Sequence, residues 1–170
     1  MKGILFKEAM FNAVVEGRKT QMRQVMKSQP EINCQYPVNI LKNKKGKWFC
    51  AVKVPPYRPF GDLNIKPRYK VGETLYLKEQ AKYARYFIEI TGVRCEKVQD
   101  ISRLDCDKEG IRSRVKGVPP YDLIYQVPGS PNYYYTTKQA YAALFDKING
   151  KGAWESNPYV WVYDFKLKDK

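Results

Sequence analysis

Histidine is missing from the whole chain of 170 residues. That absence excludes Ser-His and Cys-His nucleophile pairs, paired-histidine RNA cleavage and the usual histidine zinc sites. Any catalysis must rest on Lys, Glu, Asp, Tyr, Cys or Thr. Cysteine is scarce too: Cys34, Cys50, Cys95 and Cys106 contain no C-x-x-C pair. Reduced thiols in a cytoplasm are then a simpler reading than a disulfide framework or a zinc knuckle. No apolar run approaches the ~20 residues that cross a bilayer. The opening Met1-Lys2-Gly3-Ile4-Leu5-Phe6 runs straight into Lys7 and Glu8, so no secretion signal is expected. These gaps predict a soluble cytoplasmic protein with no cofactor, no bound metal and no membrane partner.

Basic residues dominate what is present. Lys and Arg number 31 against 17 acids, a formal charge of +14. Such an excess attracts polyanions, nucleic acid foremost, although a basic surface can also serve solubility alone. The length fits a single domain.

Gly3 to Phe6 reads as a first strand, followed by a helix from about Lys7 to Glu16 with Phe11, Val14 and Val15 on one face and Gly17 as its stop. Arg18 to Arg23 reads as a polar, basic segment after that stop. Residues from about 28 to 67 are rich in Pro, Asn and Lys and read as an insertion in the core fold, with one strand at Trp48 to Val54. Further strands are expected at Thr74 to Leu77 and at Tyr86 to Val98, the second bent by a bulge at Gly92. Ser102 caps a short helix reaching Glu109. Residues 113–135 read as an irregular loop rich in Tyr and Pro. A helix follows from about Thr137 to Ile148, with Tyr141, Leu144, Phe145 and Ile148 on its apolar face. The last strand, about Pro158 to Leu167, has both faces covered. The pattern is α+β, a small mixed barrel with two or three short helices.

Gly17-Arg18-Lys19-Thr20-Gln21-Met22-Arg23 resembles the G-x-K-T-x-T-x-R signature of ASCH domains, members of the PUA-like superfamily. Arg68-Tyr69-Lys70-Val71-Gly72-Glu73, Leu75 to Glu79, Ile88 to Val93, Asp100-Ile101-Ser102 and Glu109-Gly110-Ile111 match in order. The end, Ile148 to Trp154 with Asn157-Pro158 and Trp161, is similar to phage and prophage members, which implies a bacterial or phage-infected host cell. The resemblance implies a small curved PUA-like β-barrel over residues 1–170, with a cleft beside the first helix that holds RNA or seats one base. Some members remove an acetyl group from acetylcytidine with a Lys, a Thr three residues later and a Glu, and ribonuclease activity is also known in the group. Carried over, the lysine is Lys19 and the glutamate Glu109. The threonine position falls on Met22, whose thioether neither delivers a proton nor acts as a nucleophile.

The candidate ligand-binding set is Lys19, Thr20, Arg23, Glu79, Arg68 and Tyr134, and the candidate catalytic pair is Lys19 with Glu109. Lys19 reads as a phosphate binder, as a base if burial lowers its pKa, or as an exposed lysine complementing a helix end. Arg23 offers five donors to a phosphate or base edge, or a salt bridge. Glu109 reads as a group that polarises a base or activates water, or as a routine helix-end residue. Either Glu109 or Glu79 could pair with Lys19, keeping it charged and favouring binding over proton transfer. Tyr133, Tyr134 and Tyr135, with Tyr121 and Tyr125, read either as stacking rings or as a lid. Basic runs at Lys42, Lys44, Lys45 and Lys47 and at Arg112, Arg114 and Lys116 read as phosphate contacts or solvated loops. The leading expectation is a nucleic-acid or nucleobase binder. Alternatives are a nucleoside-directed hydrolase using Lys19 and Glu109, and a phage accessory protein that contacts a host protein.

Overall fold

The structure is a computed structural model that describes residues 2–27, 29, 38–52, 59–62, 66–78, 86–118, 120 and 122–168, with the backbone alone at 38, 39, 49–52 and 59–62. Its spine is two long antiparallel strands, β7 (Phe87–Lys97) and β11 (Tyr159–Lys168). They sit inside a five-stranded sheet of order β1-β6-β7-β11-β2, with β1 at Gly3–Leu5, β6 at Thr74–Lys78 and β2 at Gln21–Val25. Among the described strands only β1 and β6 pair in parallel, joined by a crossover that helix α1 (Glu8–Val15) begins. The class is α+β, as expected. The sheet is open, with β1 and β2 at its edges, and no closed barrel is found among the described residues.

Strand β11 shows why both faces are covered. Its residues point alternately to opposite sides. Tyr159, Trp161, Tyr163 and Phe165 enter one core with Phe11, Val14, Met22, Leu75, Leu77, Ile88 and Ile90. Val160 and Val162 enter a second core with Met10, Cys106, Ile111, Tyr141, Leu144 and Phe145. That second core is closed by α2 (Arg103–Lys108) and α3 (Thr137–Asn149), capped by the side chains of Ser102 and Thr136. Ile148 departs from its expected apolar face and is exposed at the end of α3.

The expected bulge is present. The β7–β11 register passes from Gly92↔Asp164 to Ile90↔Phe165, which leaves Thr91 as the extra residue. A Cβ on Gly92 would lie 2.9 Å from Asp164 Oδ2, so glycine is what lets that carboxylate lie close over the bulge.

Two readings are corrected. Residues 18–23 are not only a polar connection, because Gln21 to Val25 form an edge strand paired with β11. Residues 113–135 are not an irregular loop. Strands β8 (Arg112–Lys116), β9 (Asp122–Gln126) and β10 (Tyr133–Tyr134) make a small antiparallel sheet. Residues 113–116 of β8 are exposed, so no apolar alternation marks it. A third sheet holds β3 (Val38–Lys42), β4 (Trp48–Val52) and β5 (Pro59–Asp62). Ile40 and Trp48 tie it to the first core, and the Trp48 ring meets Trp161 edge-on at 4.7 Å. Among the described residues, no helix is long and apolar enough to cross a membrane.

Candidate functional site

Helix α1 ends in a Schellman turn: Gly17 N–H donates to Val14 O and Arg18 N–H to Ala13 O. Gly17 takes φ +74, where a glycine carries no Cβ penalty. The chain then turns inward. Thr20 N–H donates to Lys108 O, and its carbonyl accepts from Phe165 N–H, which fixes Lys19 between the ends of α1 and α2. Gly110 turns the chain at φ +96, where a glycine carries no Cβ penalty, and packs beside the Lys19 stem at ordinary contact distance.

Lys19 and Glu109 are both buried, each 4% exposed. Lys19 Nζ donates to Glu109 Oε2 at 2.5 Å, to Glu109 O at 3.1 Å and to Gln21 O at 2.9 Å. An ammonium has three donors, and all three are used. Arg23 is saturated in the same way. Its Nη1 donates to Glu109 Oε1 and Gln21 Oε1, Nη2 to Glu96 and Asp105, and Nε to Glu96. Arg94 closes the lattice, reaching Asp105 at 2.7 Å, Asp164 at 3.0 Å and Glu96 at 3.2 Å. Gln21 bridges Asp105 and Asp164 through its amide nitrogen.

This lattice has clear electrostatic consequences. Burial opposes the Arg23 charge, but the Glu109 and Glu96 carboxylates outweigh it and hold the guanidinium above its ordinary value. Burial also opposes the charge of Asp105. The hydrogen bond from Gln21 and the charges of Arg94 and Arg23 outweigh it and hold that carboxyl below its ordinary range. Burial pushes the Tyr141 phenol well above its ordinary value and Glu109 adds to the shift, so Tyr141 remains a neutral donor.

Above the lattice lies a cavity of about 680 Å³. Lys19, Arg23, Glu109 and Tyr141 are among its polar lining residues, with charged residues of α1 and α3 at its margin, and Phe6, Met10, Met22, Leu144, Phe145 and Ile148 are among its apolar ones. The Arg23 guanidinium stands 5.7 Å from the Tyr141 ring centre, and Lys19 Nζ 5.9 Å from that of Phe6. Trp154 meets the Tyr141 ring edge-on and helps hold it in place.

The expected site residues therefore divide. Lys19, Arg23 and Glu109 converge at this cavity. Thr20 adjoins it without lining it and works through its backbone. Arg68 lies elsewhere, its guanidinium over the Tyr69 ring and its N–H donating to Tyr163. Tyr134 sits on β10 beside two other surface depressions. Glu79 and Tyr121 fall outside the described residues. Met22 is a core residue, paired in register with Tyr163, and also borders the cavity. Sequence reasoning missed Tyr141, Gln21, Asp105, Glu96, Arg94 and Asp164. Tyr141 looked like one more apolar-face position, and the carboxylates carry no local spacing that marks them. Among the described residues, no group of three or more Cys, Asp or Glu is placed to hold a metal ion. Comparison with family models, curated proteins and solved structures finds no match.

Proposed function

We propose that this cavity seats a nucleobase, presented by RNA, by DNA or as a free nucleoside. The carrying observation is the pairing of an apolar wall with a hydrogen-bonding floor inside about 680 Å³, within the usual range of small-ligand sites. A base has two apolar faces and a polar edge, and this lining is complementary to both. Glu109 keeps unused lone pairs on each oxygen after accepting from Lys19 and Arg23, and Tyr141 offers a hydroxyl donor. The likeness of Gly17 to Arg23 to the ASCH signature supports the same reading, with the bulged open sheet as the counterpart of a PUA-like barrel.

Binding is favoured over hydrolysis by the state of Lys19. A general base needs a free lone pair, and this ammonium has committed every proton to Glu109 or Gln21. Met22 at the threonine position adds no nucleophile. Equilibrium binding of short single-stranded RNA, single-stranded DNA and the common nucleosides at low salt tests the reading. Wild-type protein should bind at least one of them. Tyr141→Phe should weaken that binding about tenfold, the worth of one good hydrogen bond, at unchanged stability. Absence of affinity for every probe would refute the base cavity.

A further inference from the structure

A second cavity, of about 390 Å³, adjoins the first. Ala9, Val127, Pro128 and Gly129 line both. A Cβ on Gly129 would stand 2.7 Å from Ala9 Cβ, so the turn after β9 presses on α1 and forms a thin wall between them. Arg18, Arg112 and Arg114 line this second cavity with Asn12 and Gln126. Arg112 and Arg114 share one face of β8 because they are two residues apart, and Arg112 lies opposite Gln126 in register.

The charge here is not balanced. Glu16 is the only carboxylate among the lining residues, and its Oε2 takes Arg18 at 2.6 Å and Arg112 at 3.3 Å. Arg18 Nη1 and Arg112 Nε are buried and have no hydrogen-bond partner among the described residues. A buried N–H without an acceptor is costly, and on a guanidinium the natural acceptor is an anion. Arg114 forms no ion pair among the described residues.

We propose that Arg18, Arg112 and Arg114 form a cradle for a phosphate group, and that it holds the phosphate of the ligand whose base occupies the neighbouring cavity. The second half of this statement rests on the base-binding reading; the first does not. Phosphate supplies several strong acceptors to donors that are already oriented by Glu16. Ligands carrying phosphate then bind more tightly than the bare nucleoside, and salt weakens them more.

Titration of inorganic phosphate into the full chain at low ionic strength, followed through the arginine Nε–H resonances, tests the cradle alone. The Arg112 resonance should shift saturably, and Arg114→Gln should weaken the titration about tenfold, the loss of one charge-assisted hydrogen bond. No saturable shift overturns the cradle, whatever the first cavity binds. A second arm compares each nucleoside with its 5′-monophosphate. A nucleoside should bind wild-type and Arg114→Gln protein equally, while the monophosphate loses its advantage in the variant. A monophosphate advantage that survives both Arg112→Gln and Arg114→Gln overturns the link between the cavities. If phosphate binds and no nucleoside does, the cradle stands and the base cavity falls.

Discussion

Two groups of charged side chains lie on either side of one thin wall, and they are built on opposite plans. Beneath the larger cavity, Glu96, Asp105, Glu109 and Asp164 face Lys19, Arg23 and Arg94, and every donor of Lys19 and Arg23 is taken. Beside the smaller one, three arginines line the space with one glutamate, and two buried N–H groups have no acceptor among the described residues. A formal charge of +14 is therefore a poor guide to any one site. The buried Lys19 and Arg23 spend their charge within the lattice, while Arg18 and Arg112 share a single carboxylate and retain N–H groups without an acceptor among the described residues. Buried pairs are screened little by salt and exposed ones strongly, so the two groups should separate in experiment.

The sharpest way to break this contrast is Arg23→Ala. Its side chain is fully buried, and its loss leaves Glu109, Glu96 and Asp105 without their shared cation. A cost of about 3–5 kcal/mol in urea unfolding is expected. A loss below about 1 kcal/mol would mean that the lattice is not structural. Next comes Gly92→Ala, which drives a methyl against Asp164 where Arg94 and Gln21 hold it. Overpacking of this kind costs about 1–3 kcal/mol, and unchanged stability would show that the bulge does not position the carboxylate.

A smaller effect is expected with acid. Asp105 is held below its ordinary value, so its stabilising contribution is complete above 3.8 and is lost as pH falls through the lower folded-state value. Asp105→Asn should flatten the pH dependence of unfolding in that range, and a wild-type slope in the variant would remove Asp105 as its source. The smallest stability change belongs to the cradle. Arg114→Gln should shift unfolding by no more than about 0.5 kcal/mol. It should still lower the salt dependence of single-stranded RNA binding by about 0.7 for each phosphate that the variant no longer neutralises. An unchanged salt slope would place Arg114 away from the bound strand.

Much of the fold was legible because its burial follows simple periods. The alternation of Tyr159 to Phe165, the Gly92 bulge and the Ser102 cap each have a local cause written in the residues themselves. Strand β2 was not legible, because it is buried on both faces and one of them is polar. Met22 enters the first core, but Gln21 and Arg23 are buried on the other side where apolar residues usually mark an inward face, so no period-two signal stands out. Strand β8 failed for the converse reason: its exposure leaves nothing to alternate with. At the site, Lys19, Arg23 and Glu109 were named from a motif, but their mutual saturation depends on distances that no spacing encodes. Tyr141 looked like helix core because it is core; that it also lines the cavity follows from the placement of α3 beside Lys19, Arg23 and Glu109, which no local pattern encodes.

The Lys19–Glu109 bond joins residues 90 positions apart, and Arg23–Glu109 joins residues 86 apart. No fragment of the chain can therefore make the floor on its own. Until β7, β11 and α2 have assembled, Lys19 and Glu109 are solvated groups on separate stretches of chain, and the entropy of closing so long a loop has yet to be met. The cavity over that floor thus forms only in the assembled domain. A ligand that occupies it stabilises the whole domain by mass action, and partly folded chains compete for none of it.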